Sequence, residues 1–199
     1  MRRLLLVLLV LLGAGLITSR FVPKVEYVTV TGNVHHDVDQ VMRLADVAPG
    51  TPFLWVTAGR VRGLVSDPWV LQAVVVRQWP DRVSIAVRER VPAITNGAVT
   101  WADDGTVLDG ATPAETAGLP RLEGWGPERT AEAITLLRLL RPFGVQVISY
   151  SPEGFDILLN DAQLFTASAK ALREHWSAFV GHRGGRMAVY PWGVSKADE

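Results

Sequence analysis

The sequence predicts an α+β protein with three parts: an N-terminal transmembrane helix, a β-α-α-β-β unit, and a mostly antiparallel β domain that contains two helices. Three observations lead to this architecture. Residues 4–17 form an uncharged apolar run behind Arg2 and Arg3. Residues 26–89 then show one alternating strand, two short helical patterns and two more strands. Beyond Pro92, strand and turn signals outnumber helical ones.

The apolar run predicts a membrane anchor. As a helix it rises about 21 Å, which is shorter than the span of about 20 residues that crosses a bilayer core. We therefore expect the span to extend beyond Ile17 and to comprise residues 4–22, with Arg20 reaching toward the headgroups. The basic residues at the start place the tail of residues 1–3 in the cytoplasm and the bulk of the chain outside it. A cleaved signal peptide is the alternative, since its apolar region is typically about 7 to 15 residues long. The bulky residues that follow Ile17 disfavour cleavage.

Composition excludes several classes of function. The sequence has 20 basic and 20 acidic residues, so it lacks the basic excess that nucleic-acid binding requires. It contains no cysteine, which excludes thiolate catalysis and cysteine-based zinc sites. Any fold outside the cytoplasm must therefore be stabilised by its hydrophobic core and not by disulfides.

The pattern of residues 24–92 predicts a unit with the order strand, helix, helix, strand, strand. Asp37 is placed to cap the first helix, and Gln40 completes a capping box. The last two strands cover residues 70–78 and 82–89 and are joined by a tight turn that contains a proline. The predicted core comprises Val28, Val30, Val41, Leu64, Val74, Val76, Ile85 and Val87, together with the strand-end rings of Trp69 and Trp79.

Residues 93–199 predict a β domain. An Asp-Asp-Gly sequence at residues 103–105 marks an early hairpin, and a helix is expected from Pro127 to Leu140. Two strands around a Pro-Glu-Gly turn follow, then a short strand and a helix that begins after Ser168. The chain is expected to end in one strand, residues 187–194, and a charged tail.

Residues that could suggest chemistry have simpler explanations. His35 and His36 are adjacent with no third ligand near them in sequence, which favours an exposed loop over a metal site. Asp103 and Asp104 are better explained by a turn than by an acid–base pair. The sequence contains no nucleophile elbow, phosphate-binding loop or dinucleotide fingerprint. We therefore predict a protein that is not an enzyme, with no catalytic residue, no cofactor, no metal and no small-molecule substrate.

The predicted last strand has features of an interaction site. Pro191 cannot donate to a strand ladder, so it belongs on a sheet edge, where another chain can add by β-augmentation. Tyr190 and Trp192 lie two residues apart and are predicted to project on the same side. An ordinary edge strand, with these rings against the domain's own helix, is the alternative interpretation.

The order of these motifs resembles the FtsQ/DivIB family of bacterial cell-division proteins. The segment Val-Thr-Val-Thr-Gly-Asn at residues 28–33 is similar to the first strand of the family's POTRA module. Residues 67–70, 79–81 and 89–92 are similar to its hairpin and exit. The segment at residues 187–189 departs from the family's usual Asp-Leu-Arg pattern, since Met, Ala and Val stand there.

The resemblance implies a single-pass protein of the inner membrane at the division septum. It implies a scaffold that binds FtsB-like and, through them, FtsL-like bitopic partners and helps coordinate septal peptidoglycan synthesis. An exported adaptor or chaperone with a POTRA-like module is the alternative. The expected partner-binding residues lie near the end of the chain and are Arg186, Val189, Tyr190, Trp192, Gly193 and Val194.

Overall fold

The computed structural model describes residues 23–124, 127–181 and 184–197. The predicted cytoplasmic tail and membrane anchor, residues 1–22, lie outside the described residues. Within the described ranges no helix is both long and apolar enough to cross a membrane. The chain divides after Glu89 into two compact units, each of which combines helices with one sheet.

The first unit is a three-stranded sheet with two helices. Strand β1 (Tyr27–Thr31) is parallel to β3 (Arg82–Glu89), and β2 (Val70–Gln78) is antiparallel to β3 on its other side. Helices α1 (Val38–Ala45) and α2 (Val61–Val65) connect β1 to β2. This order confirms the predicted β-α-α-β-β architecture.

Helix α1 begins at the predicted capping box. The Gln40 N–H donates to the Asp37 carboxylate at 2.6 Å, and the Asp37 N–H donates to the Gln40 side-chain oxygen at 2.7 Å. Two of the four unpaired N–H groups at this helix start are thereby satisfied. The buried side chains of Val41 and Ala45 then place one face of α1 on the core.

The core of the first unit lies between the helices and the inner face of the sheet. Val41, Leu64, Ile85 and Val87 are buried there, as predicted. Val28 and Val30 are half-buried against the same cluster. Burying side chains of this size contributes about 1.5 to 3 kcal/mol each, so this cluster is the main stabilising feature of the unit.

Val74 and Val76 were predicted to lie inside, and that prediction is wrong, since both are 47% exposed. The pairing of β2 with β3 shifts between Val70 and Gln72, which is a β-bulge. Val70 is buried, and without the bulge strict alternation would bury Val74 and Val76 as well. One extra residue turns Val75, in place of its neighbours, toward the core.

The two strand-end tryptophans have different environments. Trp69 is 4% exposed and lies in the interior, as predicted. Trp79 is 78% exposed, so its predicted place in the core is wrong. It lies on the turn between β2 and β3, beyond the last paired residues, Gln78 and Arg82. A side chain past the end of the ladder no longer faces the helices that cover the sheet.

The second unit contains an eight-stranded sheet and four short helices in its described residues. Its strands are β4 (Pro92–Thr95), β5 (Thr100–Ala102), β6 (Arg121–Glu123), β7 (Val145–Ser151), β8 (Gly154–Leu159), β9 (Ala162–Thr166), β10 (Gly185–Tyr190) and β11 (Gly193–Ala197). Its helices are α3 (Pro113–Thr116), α4 (Thr130–Leu140), α5 (Ala169–Glu174) and α6 (Trp176–Gly181). The strand order across the sheet is β11-β10-β9-β8-β7-β6-β4-β5.

The sheet is more mixed than predicted. Among the described strands four neighbouring pairs are antiparallel, and β4–β6, β6–β7 and β9–β10 are parallel. Helix α4 lies between β6 and β7 in sequence, and α5 with α6 lies between β9 and β10. A helical crossover carries the chain back to the end of the sheet where the preceding strand began, so the next strand runs parallel to it.

The predicted helices are present, with changes at their ends. A 3₁₀ turn at Pro127–Arg129 precedes α4. The Ser168 side chain caps α5, accepting the Ala171 N–H at 3.0 Å. The second predicted helix is interrupted at His175, so that α5 and α6 are separate, and α3 is an additional short helix. Helices α4, α5 and α6 bury one face of the sheet and leave the other face open.

Candidate functional site

The C-terminal segment folds as a hairpin. Strands β10 and β11 are antiparallel, their pairing ends at Tyr190 and Gly193, and Pro191 and Trp192 form the turn between them. The prediction of one continuous strand at residues 187–194 is therefore wrong. Proline is accommodated because a turn residue needs no ladder N–H.

Strand β11 is the edge of this sheet in the part of the chain that the structure describes. Strand β10 lies between β9 and β11, so its backbone groups are used on both sides. Because Tyr190 and Gly193 close a two-residue turn, the N–H and C=O groups of Val194 and Lys196 point away from β10. An extended segment of another chain could add to this edge as a further strand.

Three aromatic rings form a row on the open face of the sheet. The ring centroid of Phe165, on β9, lies 5.4 Å from that of Tyr190. The rings of Tyr190 and Trp192 are stacked, with centroids 5.0 Å apart and planes 8° apart. Trp192 is nevertheless 81% exposed. A large exposed ring held in place by a neighbouring ring is typical of a binding hot spot.

The expected partner-binding residues differ in what they offer to a partner. Arg186 and Trp192 are exposed, and Tyr190 is half-buried on the open face. Val189 is fully buried in the core, and Val194 is half-buried against it. The side chains of Val189 and Val194 thus support the hairpin from the core side, whereas Arg186, Tyr190 and Trp192 lie on the accessible surface. Their role in partner binding stays a prediction.

A groove adjoins the aromatic row on the same face. Two neighbouring cavities, of about 350 and 270 Å³, share Asp156, Phe165 and Arg186 in their walls. Arg186 supplies a cation, and Asp156 and Glu123 supply carboxylates, beside the apolar side chain of Leu158. The groove can therefore accept an apolar segment that also carries charged side chains.

Sequence reasoning missed Phe165, Asp156 and Leu158 as parts of this surface. Their strands show the signal, because buried Phe155 and Ile157 alternate with exposed Asp156 and Leu158 along β8. Which strand would neighbour the C-terminal hairpin was not evident from that alternation. The parallel pairing of β9 with β10 places Phe165 beside it.

The histidine pair of the first unit lies in a hydrogen-bonded cluster. The Glu89 carboxylate accepts the backbone N–H groups of Val34, His35 and His36 at 2.6 to 3.1 Å. The His36 Nδ1 atom lies 3.1 Å from Glu89, and its Nε2 atom lies 3.4 Å from the Asp67 carboxylate. His36 is 8% exposed, so the expectation of an exposed loop is wrong for this residue.

The neighbouring groups of the cluster explain its geometry and charge. The His35 ring stacks on Trp69 with centroids 3.5 Å apart. Burial by itself raises the pKa of the Glu89 carboxyl, but the hydrogen bonds from His35, His36 and Val34 outweigh burial and hold that pKa below its ordinary value. Among the described side chains no group of three or more possible ligands is arranged to hold a metal ion. The cluster is built to tie the end of β3 to the loop after β1.

Asp103 and Asp104 occupy the turn after β5, as predicted. Arg90 donates to the Asp104 carboxylate at 2.8 Å, and the Thr106 N–H donates to it at 3.0 Å. Burial raises the pKa of Asp104, but these hydrogen bonds outweigh it and lower the pKa to about 2. Asp103 forms an ion pair with Arg141. Both carboxylates are thus engaged in holding the turn.

Comparison with known proteins agrees with this architecture. A family model described as a POTRA domain of the FtsQ type matches residues 24–90. The cell division protein FtsQ of Allochromatium vinosum is 33% identical over 183 residues, which cover 84% of this chain and 70% of that protein. The cell division protein FtsQ of Corynebacterium glutamicum is 27% identical over 169 residues, covering 77% of this chain and 73% of that protein.

The identity with the Allochromatium protein extends over both structural units, and the POTRA match coincides with the β-α-α-β-β unit. The motifs that suggested the family lie at structurally demanding positions. Gly32 has a φ of +80°, and Glu89 anchors the loop that follows it. On sequence and fold together, the chain belongs to the FtsQ family of cell-division proteins.

Proposed function

We propose that this cell-division protein is a non-enzymatic scaffold of the septum, anchored in the inner membrane by residues 4–22. Its N-terminus would lie in the cytoplasm and its two folded units on the opposite side. Family membership and the apolar run near the N-terminus support this arrangement. In this role the protein coordinates septum formation and septal peptidoglycan synthesis by holding partner proteins.

The proposed partner site is the C-terminal hairpin with the adjoining groove. An FtsB-like bitopic protein would add an extended segment to β11, and an FtsL-like protein would be held through it. The single observation that carries this proposal is the edge of β11, where Val194 and Lys196 direct backbone groups outward beside the exposed Trp192 ring. Backbone pairing would supply affinity, and the groove around Arg186 would select side chains.

Proline substitutions on β11 test the pairing. Lys196→Pro removes an outward N–H, so we expect binding of the FtsB-like protein of the same organism to weaken about tenfold while the melting temperature changes little. Lys196→Ala removes the charge alone and should retain most of the affinity. Ser195→Pro removes an N–H that faces β10, and it should instead lower the melting temperature.

The result shows whether or not a partner strand pairs with β11. Titration calorimetry on the full chain in detergent measures the dissociation constants of the three variants. If Lys196→Pro and Lys196→Ala bind as tightly as the parent protein, no partner strand pairs with β11. The proposal for this site is then wrong, whereas family membership is unaffected.

The anchor has a test of its own. If residues 4–22 remain as a transmembrane segment, the intact mass of the protein isolated from membranes includes residue 22 and everything before it except a removable initiator methionine. A mature start between residues 14 and 22 would instead show a cleaved signal peptide. Bulky residues after Ile17 favour the uncleaved form.

A further inference from the structure

One end of the first unit carries both the start of the described chain and several exposed aromatic rings. Strands β1 and β3 are parallel, so they begin at the same end, where Tyr27 pairs with Arg82. The Phe53 N–H donates to the Pro23 carbonyl at 2.8 Å, and the Glu26 N–H donates to the Asp81 carbonyl at 2.8 Å. The chain that leads into β1 is thus held between the 3₁₀ turn at residues 53–55 and the turn at residues 79–81.

Both turns expose large apolar side chains. Trp55 is 65% exposed and Leu54 is 59% exposed on the first turn, and Trp79 is 78% exposed on the second. Tyr27 beside them is 56% exposed. At the opposite end of the same sheet Trp69 is buried. Exposed aromatic rings are therefore concentrated at the end that carries Pro23.

We propose that this end of the first unit lies on the phospholipid surface, with the rings of Trp55 and Trp79 in the headgroup layer of the membrane that holds residues 4–22. The inference rests on the membrane anchoring proposed above. If residue 22 ends the span, Pro23 lies at the outer surface. Trp55 follows Phe53 by two residues, which span at most about 7 Å of chain, so it lies within side-chain reach of the same surface.

The chemistry of this end fits a lipid interface. Tryptophan and tyrosine are enriched where a bilayer meets water, because each combines an apolar ring with a polar group. The nearby cations are Lys24, Arg60, Arg77 and Arg82, against the carboxylates of Glu26, Asp46 and Asp81. That small basic excess favours anionic headgroups, whereas the aromatic rings would supply most of the binding.

Interfacial rings would also help to position an anchor that is short for a bilayer. The fourteen apolar residues at positions 4–17 cover about 21 Å as a helix, less than the roughly 30 Å of a bilayer core. Flanking anchors set the depth and tilt of such a segment. Two tryptophans on separate turns of a rigid unit would fix the depth of the anchor and the orientation of the sheet together.

Site-specific labelling can test the proposal, because the chain contains no cysteine. Leu54→Cys places an environment-sensitive fluorophore beside Trp55 and leaves both tryptophans intact. Val34→Cys is the matched control, since Val34 is also an exposed aliphatic residue, at 88%, but follows the other end of β1. The full chain is reconstituted into vesicles of phosphatidylethanolamine and phosphatidylglycerol in a three-to-one ratio.

We expect emission from the label at residue 54 to shift to the blue and to be quenched by a phospholipid with a nitroxide near its headgroup. The label at residue 34 should show neither effect. Adding Trp55→Ser and Trp79→Ser should reduce the quenching at residue 54, and an unchanged melting temperature would show that the fold is intact. Equal quenching at residues 54 and 34, or no effect of the serine variants, would overturn the proposal.

Two further outcomes identify the cause of a failure. Protein that alkaline carbonate extracts from the vesicles is not integral, which overturns the proposed anchoring and this inference with it. Protein that stays in the vesicles without quenching at residue 54 retains its anchor but does not rest on lipid. If the label at residue 54 is then shielded from water in native membranes but not in the lipid vesicles, the rings bind another protein, and the lipid proposal is wrong.

Discussion

The indole ring of Trp192 lies flat on the phenol ring of Tyr190, with the ring centroids 5.0 Å apart. Tyr190 ends β10 and Trp192 lies in the turn of the C-terminal hairpin, and Phe165 continues the row on the neighbouring strand β9. Stacking fixes the position of a ring that is otherwise 81% exposed. A ring that is already held loses less side-chain entropy when a partner binds.

The first prediction concerns this ring. Trp192→Ala should weaken binding of the FtsB-like partner by at least about 2 kcal/mol, because it removes a large exposed aromatic anchor. The melting temperature should change little, since an exposed side chain usually contributes within about 0.5 kcal/mol. Titration calorimetry and thermal unfolding of the full chain measure the two effects. Trp79→Ala, an equally exposed tryptophan of the other unit, is the control and should leave this affinity unchanged.

The second prediction compares two valines of the paired strands β2 and β3. Val83→Ala should lower the free energy of unfolding of the first unit by about 2 kcal/mol, because Val83 is 1% exposed. Val76→Ala removes the same atoms from a side chain that is 47% exposed, and it should cost less than about 0.5 kcal/mol. Denaturant unfolding measures both. Equal losses would show that Val76 faces the core after all.

The third prediction concerns Glu89, whose carboxylate accepts three backbone N–H groups. Its pKa in the folded state is lowered, whereas its unfolded value is about 4.3. The ionised carboxylate therefore stabilises the fold above that pH, and this contribution is lost as the pH falls through the folded-state pKa. Glu89→Gln should lower the free energy of unfolding at pH 7 by about 1 to 3 kcal/mol.

Thermal unfolding between neutral and acidic pH measures this effect. The difference between the parent protein and Glu89→Gln should shrink as the pH falls below the unfolded-state pKa. Glu26→Gln, at an exposed carboxylate of the same unit, is the control and should change the free energy of unfolding at pH 7 little. A difference between the parent protein and Glu89→Gln that grows toward acidic pH would contradict the assignment.

The fourth prediction concerns Gly32, which lies just after β1. Its φ is +80°, and a Cβ atom there would lie 2.1 Å from the Val87 carbonyl oxygen. Gly32→Ala should thus combine backbone strain of roughly 1 to 2 kcal/mol with a direct clash. Gly50 has a similar φ, +92°, but no atom lies within 4 Å of the position that a Cβ would take, so Gly50→Ala should show the strain alone. Unfolding of the two variants in denaturant should show the larger loss for Gly32→Ala.

Local patterns in the sequence were sufficient for the order of elements in the first unit and for the start of α1. Alternation, capping residues and turn residues act within a few positions, so Asp37 with Gln40, and Ile85 with Val87, are interpreted correctly without knowledge of the fold. The family resemblance rested on the same segments, and the positive φ of Gly32 explains why one of them requires a glycine. These features depend mainly on residues that are close to one another in sequence.

Tertiary structure decided what depends on distant partners. A bulge opposite β3 reversed the faces of Val74 and Val76. Helical crossovers made the pairs β6–β7 and β9–β10 parallel in a domain that was predicted to be mostly antiparallel. The candidate partner surface needed the same information. Sequence marked Tyr190 and Trp192, but the pairing of β9 with β10 placed Phe165 beside them, and the turn at Pro191 made β11 the edge. Periodicity shows that a strand has two faces, whereas its neighbours and the layer above it determine which face is buried.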